Sequence, residues 1–208
     1  QLGQKLRAFY YTKRAGNCGK NLRIDEGVII QGIKDIYFGD NVWVDKYCIL
    51  MAGKVSGLTD ENCLHKIKPD DNNHVKEGEL RIGSNVHITP YCLIQAHGGI
   101  YIGNHVALTS GAKLYSLSNL PTDPTNKSRI IHMTSSLENE DYLMSNIIIE
   151  NNVVIGINSI VLPGVIIEKN SFVAPNSLVI TRVQENSFMA GNPAKKIKDR
   201  FSDYETER

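Results

Sequence analysis

What this chain of 208 residues has little of narrows its class first. Aromatic residues make up only 7%, with a single Trp, so no stacking platform for a sugar or base stands out. Four Cys, at 18, 48, 63 and 92, form no CxxC pair, which argues against a disulfide framework or a zinc site. The net charge of +1 gives no case for nucleic acid from charge alone. No apolar run approaches the roughly 18 residues of a membrane span. No charged, apolar and small-residue leader opens the chain, so a cytoplasmic protein is expected. The length suffices for one sizeable core, and a single domain is expected over 1–208.

What is there is a period. Counting in sixes, Ile149, Ile155, Val161, Ile167, Val173 and Val179 hold the first place of consecutive hexads. Val153, Ser159, Val165, Ser171, Ser177 and Val183 hold the fifth. This is neither a helical repeat nor simple strand alternation. A fixed six-residue period with turn residues between apolar anchors marks a parallel β-helix, an all-β solenoid in which each coil buries its core against the next.

The period extends backwards in two blocks. Ile24, Ile30, Phe38, Val44 and Leu50 make the first; Ile82, Ile88, Ile94, Ile102, Leu108 and Leu114 make the second. Both contain one step of eight instead of six, from Ile30 to Phe38 and from Ile94 to Ile102, so the bulge is a built feature of one corner. Cys48 and Cys92 fall on inward fifth places and read as small core residues.

Residues 24–54 and 80–115 are thus the first coils and 147–183 the last. Two stretches, 55–79 and 116–146, lack the phase. Long insertions in a regular scaffold suit lids or walls of a site. Residues 1–15 carry Leu2, Leu6, Phe9 and Tyr10 at helical spacing among Lys and Arg, a helix that would cap the open first coil or touch a membrane surface. In the segment 189–208, Asn192 as cap and Pro193 at the first turn predict a short basic C-terminal helix.

The hexads, the long loop between coils, LPGV at 162–165 and the closing AGNPAKKIKDRF resemble the hexapeptide-repeat acyltransferases over roughly residues 20–201. The resemblance is nearest to the branch of galactoside, maltose, nodulation and polysaccharide O-acetyltransferases. It implies a left-handed β-helix, a homotrimer, and acetyl-CoA held between neighbouring subunits with no metal. The acceptor would be a small-molecule or lipid-linked sugar.

The family's base is a His seventeen residues after the Ile of an Ile-Gly pair. Here that pair is Ile102-Gly103, and the position holds Asn119, which has no usable basicity. Of the six His, His97 lies in the QAHGG bulge, one coil back, where the resembling enzymes carry an acidic residue that holds the sugar. It could take the proton. His132, in the lid loop, is the runner-up. His87 and His105 read as surface or subunit-contact residues, and His65 and His74 as solvated loop residues.

By the same resemblance, pantetheine would run beside Gly156, Ile157, Pro175 and Asn176, then Ile180 and Thr181. Its phosphates would meet Lys195 and Lys198, serviceable point charges. The family's Trp beside the thioester is here Val154. The expected activity is direct acetyl transfer to a sugar hydroxyl of a surface polysaccharide or lipopolysaccharide precursor. N-acetylation of an amino-sugar nucleotide and a non-catalytic relative are alternatives. A γ-carbonic-anhydrase-like zinc enzyme is disfavoured, because the chain has no HxxxxH pair.

Overall fold

A computed structural model describes residues 2–55, 65–66, 74–119 and 142–201, with 65, 66 and 119 described by their backbone alone. The hexads wind into a three-faced prism of short parallel strands. The first face stacks Asn17–Cys18, Ile36–Phe38, Leu80–Ile82, Ile100–Ile102, Ile147–Ile149 and Ile166–Ile167. On the second, Arg23–Ile24, Trp43–Val44, His87–Ile88, Ala107–Leu108, Val154–Ile155, Phe172–Val173 and Ser187–Ala190 follow one another. The third runs Ile29–Gln31, Ile49–Met51, Leu93–Gln95, Lys113–Tyr115, Ile160–Val161 and Leu178–Val179.

Register follows the sequence period. Ile30 stacks on Leu50, Leu50 on Ile94, Ile94 on Leu114, Leu114 on Val161 and Val161 on Val179. The anchors face inward and, apart from Ile30 in the end coil, are buried. Burying each such side chain contributes about 1.5–3 kcal/mol, and the coil spacing of roughly 4.8 Å keeps them in contact. Fifth places carry smaller groups whose hydroxyls pair with the backbone, as when Ser159 Oγ donates to Ala174 O at 2.8 Å. Cys48 and Cys92 are buried there, as the phase requires. The adjacent Cys92 thiol, together with burial, pushes the Cys48 thiol up.

The corners explain the Asn content. Asn21, Asn41, Asn85, His105, Asn152, Asn170 and Asn186 form one column between the first and second faces, and all have positive φ. Asn tolerates this left-handed turn better than most residues. The side chains also chain together, Asn21 to Asn41 at 2.9 Å, Asn41 to Asn85 at 3.0 Å and Asn152 to Asn170 at 3.0 Å.

Both ends depart from expectation. The N-terminal helix spans Leu2–Thr12 and meets the first coil through Arg7, which donates to Ile24 O at 3.0 Å, and Gln4, which donates to Asp25 at 2.6 Å. Leu2, Leu6, Phe9 and Tyr10, the residues suited to capping the core, are instead exposed. Tyr11 and Ala15 supply the apolar contact.

At the other end no helix forms among the described residues of the expected C-terminal helical segment. Lys195–Asp199 is a strand, antiparallel to Ser187–Ala190. Gly191 sits at φ 104°, and the residue before Pro193 is pushed away from helical geometry, so the chain turns back. The returning strand then satisfies its backbone on the sheet edge. Arg200 fastens it by donating to Asn152 O at 2.7 Å and Ser171 O at 3.0 Å.

Candidate functional site

The two insertions leave the prism at one corner, between the third and first faces, and their described parts pair with each other. Leu117–Asn119 runs antiparallel to Tyr142–Met144, which pairs in parallel with His65–Lys66. Leu117, Tyr142 and Met144 form a small core of their own, with Val55 against it. The described parts of the two insertions thus form a three-stranded flap rooted at one corner.

His97 stands at that root. Its Nδ1 lies 2.8 Å from Gly53 O, one coil away. A carbonyl only accepts, so Nδ1 carries the proton and Nε2 of the neutral ring keeps its lone pair. The His97 backbone is held too. Gly78 N donates to His97 O at 3.0 Å, and Gly53 N to Gly78 O at 2.7 Å, closing the neck of the first insertion. Beside it, Gly98 N donates to Ser116 Oγ at 2.8 Å, and Ser116 Oγ donates to Gln95 O at 2.7 Å. A Cβ on Gly98 would come within 2.4 Å of Ser116 O and 2.8 Å of Ser145 O, so only Gly fits. The imidazole is half-buried.

Asn119 lies on the first strand of the flap, with its Cα opposite Tyr142. The bulge holding His97 meets the start of this strand, through Gly98 N to Ser116 Oγ at 2.8 Å and Leu117 N to Gln95 Oε1 at 3.3 Å. His132 lies outside the described residues. Ser116, Gly53 and Gly78 were not singled out in the sequence. The paired Gly at the ends of the first insertion, both at positive φ, are the signal that marks its neck. His105 is exposed at its corner, His87 stacks on Trp43 at 4.4 Å, and His74 stacks on Tyr101 at 4.9 Å.

The residues suggested for the cofactor fall on two edges. Gly156, Ile157, Pro175 and Asn176 share the edge between the second and third faces. Asn176 N donates to Ile157 O at 2.8 Å, and a Cβ on Gly156 would meet Pro175 N at 2.5 Å. Ile180 and Thr181 lie on the other edge of the third face. Ile157 is 49% and Ile180 48% exposed, as are Ile29 and Ile197 to a greater degree. Lys195 and Lys198 project from the terminal hairpin, both exposed. Each edge offers apolar surface and turn backbone along the prism axis, and the terminal hairpin on the second face adds the cations Lys195 and Lys198.

Aromatic platforms are present despite the low aromatic content. Tyr47 and Tyr91 stack at 5.5 Å on the edge that carries Ile157 further up. On the second face, Arg23, Trp43 and His87 line a cavity of about 360 Å³ with Asn21, Asn41 and Asn85. Among the described residues no group of three or more His, Cys, Asp or Glu is placed to hold a metal ion.

Comparison with known proteins agrees with this architecture. The family model described as bacterial transferase hexapeptide (six repeats) matches residues 146–181. Protein CapG of Staphylococcus aureus is 46% identical over 107 residues, 51% of this chain and 56% of its own length. The chain therefore spans little more than half of that relative. The dTDP-4-amino-4,6-dideoxy-D-glucose acyltransferase of Escherichia coli is 25% identical over 187 residues, 88% of this chain and 81% of that protein. Among solved structures, the S84A mutant of AntD, an N-acyltransferase from Bacillus cereus, in complex with dTDP-4-amino-4,6-dideoxyglucose and coenzyme A, superposes with a TM-score of 0.72. It is 22% identical and aligns over 93% of this chain and 88% of AntD. The shared fold is a left-handed parallel β-helix.

Proposed function

We propose that this chain, which carries the bacterial transferase hexapeptide repeat over residues 146–181, is a hexapeptide-repeat acyltransferase that transfers an acetyl group from acetyl-CoA to a hydroxyl of a sugar destined for a surface polysaccharide or lipopolysaccharide. The observation that carries the reading is the His97 Nδ1–Gly53 O contact of 2.8 Å, which leaves Nε2 as a fixed proton acceptor at the root of the flap.

When bound, acetyl-CoA would supply the thioester and coenzyme A thiolate as the leaving group. The chain's own residues do the rest. Ile157 and Pro175 on one edge, with Ile180 and Thr181 on the matching edge of a neighbouring copy, hold the pantetheine. Lys195 and Lys198 hold the phosphates. His97 Nε2 would take the proton from the acceptor hydroxyl as the hydroxyl oxygen attacks the thioester carbon, and would pass it to the departing sulfur, with no covalent enzyme intermediate. Among the described cysteines, Cys48 and Cys92 are buried core residues and lie on no exposed edge. The split of the cofactor residues over two edges, and the outward Ile29, Ile49, Leu93, Ile160 and Leu178 of the third face, support a homotrimer with sites between subunits.

A second reading is N-acylation of a nucleotide-linked amino sugar. Two observations favour it: the E. coli relative, matched over 88% of this chain, is named for an amino-sugar nucleotide substrate, and Asn119 stands where the resemblance places a His. An amine is the stronger nucleophile, so a weak base suffices.

One experiment separates the readings. The protein is incubated with acetyl-CoA and a panel of nucleotide-linked sugars bearing free hydroxyls or a free amine, and acetylated products are read by mass spectrometry. Hydroxylamine cleaves an ester but leaves an amide. A hydroxylamine-labile product supports O-transfer, a stable one the second reading, and no acetylated product from any acceptor contradicts both.

A further inference from the structure

The N-terminal helix is amphipathic in the sense opposite to a core-packing helix. Its inward side carries Gln4 and Arg7, both bonded to the first coil, and Tyr11. Its outward side carries Leu2, Leu6, Phe9 and Tyr10, which are 73, 60, 62 and 49% exposed. None of its residues is fully buried. Spacings of three and four bring Leu2, Leu6 and Phe9 onto one stripe, since residues so spaced share a helix face.

Cations border that stripe. Lys13 Nζ lies 4.3 Å from the Phe9 ring and Arg14 Cζ 3.8 Å from the Tyr10 ring. Although the whole chain carries only +1, residues 1–24 hold Lys5, Arg7, Lys13, Arg14, Lys20 and Arg23 and no Asp or Glu. The next acidic side chains are engaged elsewhere. Asp25 accepts from Gln4 and from Trp43 Nε1, and Glu26 pairs with Lys46 at 2.8 Å. The helix also lies against the strand Arg23–Ile24, at the edge of its sheet among the described residues.

We propose that this helix face docks on an anionic lipid bilayer, with Leu2, Leu6 and Phe9 entering the headgroup boundary and Lys5, Lys13 and Arg14 meeting lipid phosphates. Interfacial helices join an apolar face to basic flanks in this way, and their affinity needs both apolar area and anionic lipid. The inference does not depend on the acyl-transfer reading.

Vesicle flotation of the full chain tests it, using phosphatidylcholine vesicles with and without phosphatidylglycerol at low salt. The chain is expected to float with the anionic vesicles and to stay behind with the neutral ones. L6D/F9D changes only the outward face, and K13E/R14E only its border. Each is expected to lower partitioning at least about tenfold with the circular dichroism spectrum retained. Should the first variant fail to fold, the second still decides. No flotation of the wild type overturns the proposal, and so does wild-type flotation of either folded variant. A smaller oligomer for L6D/F9D in light scattering also overturns it, because the face would then be covered by another copy of the chain.

Discussion

His97 Nδ1 and Gly53 O, 44 residues apart in sequence, sit 2.8 Å apart across neighbouring coils at the corner from which both insertions leave. The contact joins the neck of the first insertion to the bulge that follows Ile94. It orients the imidazole, and because a carbonyl only accepts, it puts the Nδ1 proton toward Gly53 O.

The corner is packed without slack. Gly98→Ala would drive a methyl group into Ser116 O and Ser145 O, both backbone atoms that cannot rotate aside. The expected outcome is a loss of about 1–3 kcal/mol in denaturant unfolding. Transfer activity should fall by at least about tenfold in the folded fraction, because the bulge carrying His97 must shift. Wild-type activity in a folded Gly98→Ala protein would separate this corner from the chemistry.

Asn119 and His132 provide a paired control on the identity of the base. Asn119→His is expected to raise transfer to hydroxyl acceptors, by restoring a basic group on the flap strand. His132→Ala is expected to cost less than about threefold, below the factor a general base supplies. Steady-state rates with saturating acetyl-CoA check both, and a collapse in His132→Ala would move the base into the second insertion.

Charge at the terminal hairpin should govern coenzyme A affinity. Removing Lys195 and Lys198 together is expected to weaken binding by about tenfold or more, with an effect that shrinks as salt rises. Calorimetric titration at two ionic strengths measures this. Lys196→Ala is the comparison, as a neighbouring cation of the same strand that is not assigned to the phosphates.

The last coils carry a pH-sensitive tie. The Arg182 guanidinium beside Glu168, followed by the Glu185 backbone N–H, holds the Glu168 carboxyl below its usual range against an opposing effect of burial. A depressed carboxylate stabilises the fold above its unfolded pKa, and that stability is lost as pH falls through the folded value. Glu168→Gln is therefore expected to cost up to about 1 kcal/mol at neutral pH and progressively less in acid. Equal losses at both pH values would assign the effect to packing.

Much of the fold was legible because a β-helix writes its register locally. Each anchor from Phe38 to Val179 states its face by its phase, and the Asn column states its corner by tolerance of positive φ. The bulge that presents His97 could be read from the step of eight. What could not be read lies between coils that an insertion separates. The partner of His97 is Gly53 and the partner of Tyr91 is Tyr47, each pair 44 residues apart, because the first insertion breaks the count between stacked neighbours. The terminal hairpin was hidden for another reason. Its Lys-rich sequence has good helix propensity, and the open sheet edge at Ser187–Ala190 outweighs that preference. The outward face of the first helix was misleading as well, since apolar spacing shows which residues align but not which way they turn.

The account stands or falls on His97→Ala, with turnover and coenzyme A affinity measured on the same preparation. A general base contributes about 10²–10⁴ in rate, so turnover should fall by at least about 100-fold while coenzyme A binding is unchanged. Turnover within about threefold of wild type in the folded variant would contradict the assignment of this corner as the centre of the chemistry.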